Sequence, residues 1–208
     1  MRDRSNPFLA PEGIPFIAAV GILVIVSWNL LGLTFTIIPI LVLIWLFLIF
    51  RDPMRVSPAA PLGVLSPVDG VIVGVGLTNQ GSIHPEAHKI IIAVNSLGTY
   101  TARCPAEGKI MDIRVSRKDG RTTPSENGLW VQTDEGDDVV LQFNGHRFNV
   151  APRAFLGYGE RVGQGQRCAY LRLTRVAEIQ ISADSRILVN VGQKVLAGVD
   201  VLGELPSH

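Results

Sequence analysis

The sequence predicts a mainly β protein, a hybrid-barrel or sandwich-like β domain preceded by an N-terminal transmembrane helical hairpin. Three observations carry this expectation. Residues 14–50 contain no charged side chain. Residues 51–63, RDPMRVSPAAPLG, are rich in proline and alanine. From residue 64 onward, short runs of β-branched residues recur between Gly, Pro, Asn and Asp, and no stretch sustains a long helical apolar stripe.

The N-terminal part comes first. The chain is 47% hydrophobic and only 18% charged, a skew that one apolar segment explains better than an evenly apolar domain. A membrane crossing takes roughly 20 apolar residues, so IPFIAAVGILVIVSWNLLGLTFTIIPILVLIWLFLIF has length for two. The turn falls at SWNLLG, where Ser27, Asn29 and Gly32 break the run and Trp28 suits a membrane–water boundary. Arg2 and Arg4 precede the segment and Arg51 and Arg55 follow it. Because arginine favours cytoplasmic loops, both ends are expected in the cytoplasm. The alternatives are a signal peptide, which should be shorter and end in a small-residue cleavage site, and one long tilted span, which would place the C-terminal domain outside.

The expected organisation is therefore a cytoplasmic segment at 1–13, a hairpin at 14–50, a short stiff linker at 51–63 and a β domain at 64–208. Within the last, strand signals run through GVIVGVGL, HKIIIAVNS, GKIMDIRV, GLWVQTDE, DVVLQFNG, HRFNVAP, CAYLRLTRV, AEIQIS, SRILVNV and QKVLAGVDVLGEL. SPVDGVIVGVG and NVGQKVLAGVDVLGEL each set a tight turn between short β runs, similar to lipoyl and biotinyl carriers and to the barrel of membrane-fusion adaptors. Lys194 in GQKV reads as a solvated turn lysine.

The charge balance, 19 basic against 18 acidic residues, predicts no nucleic-acid partner. Cys104 and Cys168 are expected to be reduced core residues. Two distant cysteines and four scattered histidines make no metal-ligand spacing, so no metal is expected.

Six blocks in order resemble the short, membrane-anchored phosphatidylserine decarboxylases of archaea and bacteria. FRDPMR (50–55) is similar to F-F-R-D-P-x-R, and LSPVDGVI (65–72) to S-P-A-D-G-x-V. NSLGTYTARCPAEGKI (95–110) is similar to S-P-L-D-V-H-V-N-R-x-P-x-x-G-x-V, and SEN (125–127) to E-N-E. FNGHRFNVAP (143–152) resembles the strand around I-A-G-x-x-A-R-R-I, and GERVGQGQRCAYLRL (159–173) resembles G-x-x-V-x-x-G-x-R-F-G-M-I-R-F.

The resemblance implies a self-cleaving proenzyme. In the family, a Gly-Ser follows R-F; the serine hydroxyl attacks the carbonyl before it, the ester eliminates, and the serine becomes a pyruvoyl group. That group is the electron sink for decarboxylation. Here residues 172–176 read RLTRV, without Gly-Ser. Thr174 is the candidate at that place, but threonine would leave a 2-oxobutanoyl group, and Leu173 would crowd the strained turn. The simpler reading of LRLTRV is a continuous strand with Arg172 and Thr174 on one face. The family's base histidine, in D-V-H, falls on Tyr100 of Gly98, Thr99, Tyr100, and a tyrosine is a poor base at neutral pH. His84, His88 and His146 read as solvated, and Gly81-Ser82 as loop. Asp69, in SPVDG, keeps the family's third processing position, although Asp-Gly is also ordinary turn chemistry.

The resemblance thus implies phospholipid metabolism at the inner (plasma) membrane, with the soluble domain in the cytoplasm. It implies a non-catalytic relative without a cofactor, binding membrane phospholipid or pairing as a homo- or hetero-oligomer. An active carboxy-lyase with a divergent processing site and an unrelated membrane adaptor are the alternatives. The expected site gathers Asp69, Tyr100, Arg103, Arg172, Thr174 and Arg175, arginine being suited to a phosphate through paired hydrogen bonds.

Overall fold

A computed structural model of the chain describes residues 8–79, 81–112, 127–145 and 150–207. These fall into two compact units, Met1–Met54 and Arg55–His208.

The first unit is an antiparallel helical hairpin. After a short 3-10 turn at Pro11–Gly13, α1 spans Ile14–Leu31 and α2 spans Leu33–Ile49. Gly32 alone joins them, with a φ of 76° that a side chain would disfavour. The buried stripe between the helices includes Ser27, Thr36 and Pro39, while Ile22, Ile25, Leu30 and Ile38 point outward. A pair apolar on its outer surface needs an apolar solvent or a partner. Two backbone hydrogen bonds clasp the open end, Ala10 N–H to Phe50 O at 2.9 Å and Asp52 N–H to Phe8 O at 2.8 Å.

The second unit is all β, as expected. Its strands are β1 Gly63–Leu65, β2 Gly70–Thr78, β3 Ala87–Val94, β4 Thr101–Arg103, β5 Gly108–Asp112, β6 Asn127–Gln132 and β7 Asp138–Asn144. They continue with β8 Arg153–Ala154, β9 Arg161–Val162, β10 Arg167–Tyr170, β11 Val176–Ser182, β12 Arg186–Ile187, β13 Lys194–Val195 and β14 Val201–Glu204. Eight form one antiparallel sheet in the order β13-β2-β3-β11-β7-β6-β5-β9; β4-β10-β8 and β1-β14-β12 are smaller sheets. Ile72, Ile90, Ile92, Ile110, Leu141, Ile179 and Ile181 are fully or almost fully buried in a shared core, each contributing about 1.5–3 kcal/mol by leaving water. Cys104 and Cys168 are buried in that core as thiols, with no disulfide between them.

On β11 the alternate residues Glu178 and Gln180 face away from the core yet are still buried. The loop before β3 lies over them: Ser82 N–H donates to Gln180 Oε1 at 2.7 Å, and Gln142 Nε2 donates to Ser82 Oγ at 2.8 Å. Gly81-Ser82 is thus part of a loop that satisfies buried amides.

One expectation fails. LRLTRV is not a continuous strand, because β10 ends at Tyr170, a turn follows, and β11 begins at Val176. The reason is topological, since β10 belongs to the three-stranded sheet with β4 and β11 to the eight-stranded sheet with β3. A chain changing sheets must turn, and Arg172 takes a left-handed φ of 52° to do so.

Candidate functional site

Where β10 passes to β11, β3 also passes to β4, so two connections cross between the same sheets side by side. They are joined at both ends, Val94 N–H to Arg175 O at 2.8 Å and Leu171 N–H to Tyr100 O at 2.9 Å. Segments 95–100 and 171–175 therefore make a double loop.

Asp69 anchors its base. It lies in the turn between β1 and β2 and is 6% exposed. Its main-chain carbonyl accepts Asn95 N–H at 2.8 Å. Its carboxylate is met from three directions. Arg55, in the segment leading to β1, places Nη2 2.8 Å from Oδ2 and Nη1 against Oδ1. Thr99 N–H donates to Oδ2 at 3.0 Å, and Ala197 N–H, between β13 and β14, donates to Oδ1 at 2.8 Å. Burial alone would push this carboxyl up. The Arg55 hydrogen bond, the Ala197 amide, the Arg55 charge and the Thr99 amide outweigh it and hold the group below its ordinary value of 3.8. Gly98 is small for a reason: a Cβ there would fall 2.6 Å from Asp69 Cβ.

Thr174 closes the turn. It is 7% exposed; its Oγ1 donates to Leu171 O at 2.6 Å and its N–H donates to the same oxygen at 3.1 Å. Residues 99 and 100 thus bond to both sides, Thr99 through its N–H to Asp69 and Tyr100 through its carbonyl to Leu171, whose own carbonyl holds Thr174. Tyr100 also sets its ring 5.9 Å from that of Tyr170, which lies 5.0 Å from Phe155. Arg172 Nη1 donates to Ala151 O at 3.2 Å, and Arg175 is exposed.

The structure therefore gathers Asp69, Tyr100, Arg172, Thr174 and Arg175 about the double loop. Arg103 stands apart from it as a buried residue at the end of β4, with Nη1 donating to Gly165 O at 3.3 Å. Sequence reasoning missed Arg55, Thr99 and Ala197. The signal for Arg55 was present, since FRDPMR and SPVDG were both singled out, but nothing local says that the arginine of one closes on the aspartate of the other.

His84 bonds Asp138 at 2.9 Å on another part of the sheet. His88 pairs in register with Ile181, five residues along β11 from Val176, or about 17 Å. His146, Ser125 and Glu126 lie outside the described residues.

Comparison with known proteins finds relatives that align with nearly the whole chain. A phosphatidylserine decarboxylase proenzyme of Burkholderia ambifaria is 32% identical over 212 residues, covering 96% of this chain and 97% of its own. The chain belongs to the phosphatidylserine decarboxylase family. Proenzymes of Nitrosomonas eutropha, 30% identical over 96% of both chains, and of Geotalea uraniireducens, 28% identical over 99% of this chain and all of its own, are similar to the same extent. No family model matches. Among solved structures, glucose permease IIA from Mycoplasma capricolum is similar with a TM-score of 0.48 at 16% identity, covering 68% of this chain and 94% of that one. Membership of the decarboxylase family sets aside the reading of an unrelated adaptor and places the chain in a family of phospholipid metabolism.

Proposed function

We propose that this chain is a membrane-anchored phosphatidylserine decarboxylase relative that does not convert itself into a pyruvoyl enzyme, and that it works by binding membrane phospholipid or a partner subunit at the double loop. The observation that carries the reading is the turn at residues 171–174. A pyruvoyl precursor needs a serine behind a glycine, with its hydroxyl free to reach the preceding carbonyl. The turn holds Leu173 and Thr174 instead, and the threonine hydroxyl is committed to Leu171 O. Among the described residues no histidine side chain approaches it. These residues do not fit the group. Asp69, clasped by Arg55, is held as an anion and shapes the base of the loop.

The hairpin supports a membrane anchor. Pro11–Leu31 is long and apolar enough to cross, and 21 residues at 1.5 Å each reach ~31 Å, against ~30 Å of hydrocarbon. Gly32 gives α2 no side-chain cap, and Thr36 Oγ1 donates back to Gly32 O at 2.8 Å. The last carbonyls of α1 and the first amides of α2 have no partner within their own helix, which is costly inside hydrocarbon, so the tip belongs at the far interface, where Trp28 also fits. The clasp between residues 8–10 and 50–52 keeps both ends on one side. With arginines flanking both ends, that side is the cytoplasm and the membrane is the inner (plasma) membrane.

One observation favours a second reading, an active carboxy-lyase with a divergent site. The family's processing point remains a strained turn, with a hydroxyl at its end. The two readings separate in a decarboxylase assay of the full chain in mixed micelles with carboxyl-labelled phosphatidylserine. The proposal expects no carbon dioxide above a protein-free control; turnover that is lost in Thr174→Ala would overturn it.

A further inference from the structure

The double loop has a composition that the site chemistry does not explain. Its two tips carry Leu97, 54% exposed, and Leu173, 42% exposed. Leu97 stands on a tight turn in which Gly98 N–H donates to Asn95 O at 3.0 Å and Leu97 N–H donates to Asn95 Oδ1 at 3.1 Å. Leu173 stands between Arg172 and Arg175, and segments 95–100 and 171–175 contain no acidic residue. Asp69, at the base of the loop, holds Arg55, and Arg172 keeps one donor on Ala151 O. Two apolar tips beside two cations match a surface that is apolar within and anionic at its rim.

We propose that this double loop is an interfacial wedge, with Leu97 and Leu173 entering the boundary of an anionic lipid bilayer and Arg172 and Arg175 meeting lipid phosphates. The proposal rests on the membrane-anchored reading above. Five residues, 50–54, separate the end of α2 from Arg55, which is bonded to Asp69 at the base of the loop. On so short a tether, the bilayer holding α1 and α2 is the partner of highest effective concentration. The loop's rigidity also suits insertion, since its two strands are bonded at both ends and little conformational entropy is lost on contact.

Single-cysteine labelling of the full chain tests this, because the native Cys104 and Cys168 are buried. An environment-sensitive fluorophore is placed at Leu97→Cys, Leu173→Cys, Val191→Cys and Leu23→Cys. Each variant is reconstituted into phosphatidylcholine vesicles containing one-third phosphatidylglycerol, with spin-labelled lipid as quencher. Val191, exposed on the β domain, and Leu23, exposed on α1, are the controls.

The proposal expects blue-shifted, quenched emission at positions 23, 97 and 173 and none at 191, with a loop depth of ~5–10 Å. Arg172→Gln and Arg175→Gln should each lower the inserted-to-withdrawn ratio about fivefold, ~1 kcal/mol per cation at an anionic surface. Omitting phosphatidylglycerol should act in the same direction. Quenching at 23 with positions 97 and 173 behaving like 191 would overturn the wedge and leave the anchor standing. An unquenched position 23 would overturn the anchor itself. Loop quenching indifferent to the arginines and to anionic lipid would overturn the choice of partner.

Discussion

Replacing Asp69 by asparagine keeps the shape of the side chain and removes its charge and one acceptor oxygen. The wild-type carboxylate accepts from Arg55 Nη1 and Nη2, Thr99 N–H and Ala197 N–H. Asparagine offers one carbonyl oxygen to these donors and turns an NH2 group toward the rest. Arg55, whose side chain is only 16% exposed, loses its counter-ion. Truncating one side of a buried ion pair costs about 3–5 kcal/mol, and partial access of Arg55 to water argues for ~3 kcal/mol here. Arg55→Met leaves the carboxylate with its two amides and should cost less, ~2 kcal/mol. Because each change removes the same interaction, the double variant should cost well under the sum, with a coupling of ~2 kcal/mol. The assay is urea unfolding of the full chain in mild detergent, with Trp28 and Trp45 replaced by phenylalanine so that Trp130 on β6 reports the β domain. An Asp69→Asn cost below ~1 kcal/mol with coupling under ~0.5 kcal/mol would refute a stabilising clasp.

The same clasp predicts a pH dependence. The native Asp69 pKa lies below its ordinary value of 3.8, so its contribution is fully present above that pH and lost as pH falls through the lower native value. The stability gap between wild type and Asp69→Asn should therefore close in acid; a gap that widened below pH ~4 would contradict the sign. Gly98→Ala drives a methyl against Asp69 and should cost ~1–3 kcal/mol in the same unfolding assay, whereas Ser96→Ala, two positions away and exposed, should be nearly silent. Thr174→Val removes the 2.6 Å bond to Leu171 O and should cost ~1 kcal/mol, and Thr174→Ser should retain most of it. Arg172 holds a φ of 52°, so Arg172→Val should destabilise by ~1–2 kcal/mol while Arg172→Gly is tolerated.

How much of this was readable from the chain differs by element. The helices were legible because an uncharged run with one polar break has few other solutions, and the turn came at Gly32, inside SWNLLG. Strands such as β3 and β7 were legible from apolar runs bounded by turn residues. The run LRLTRV misled because alternation says nothing about which sheet a strand joins, and the turn is imposed by β10 and β11 pairing with different partners. Asp69 was found through a motif, but its partners were not. Two of them are main-chain amides, at Thr99 and Ala197, which leave no mark on residue identity. Arg55, fourteen positions upstream, reads as a membrane-flanking cation until the fold brings it back. Gly98 was noticed only as something other than the family's aspartate, and its role as the space Asp69 occupies appears only in three dimensions.

The most direct test of the central claim is the intact mass of the purified full chain, measured under denaturing conditions after detergent extraction. One species is expected at the mass of the full sequence, allowing for the initiator methionine, and His146→Ala and Thr174→Ala should likewise each give one uncleaved species, shifted only by the substituted side chain. Two fragments summing to the chain, with the break between Leu173 and Thr174 and a carbonyl-bearing new N-terminus, would contradict it and show that the family's self-processing operates here through threonine.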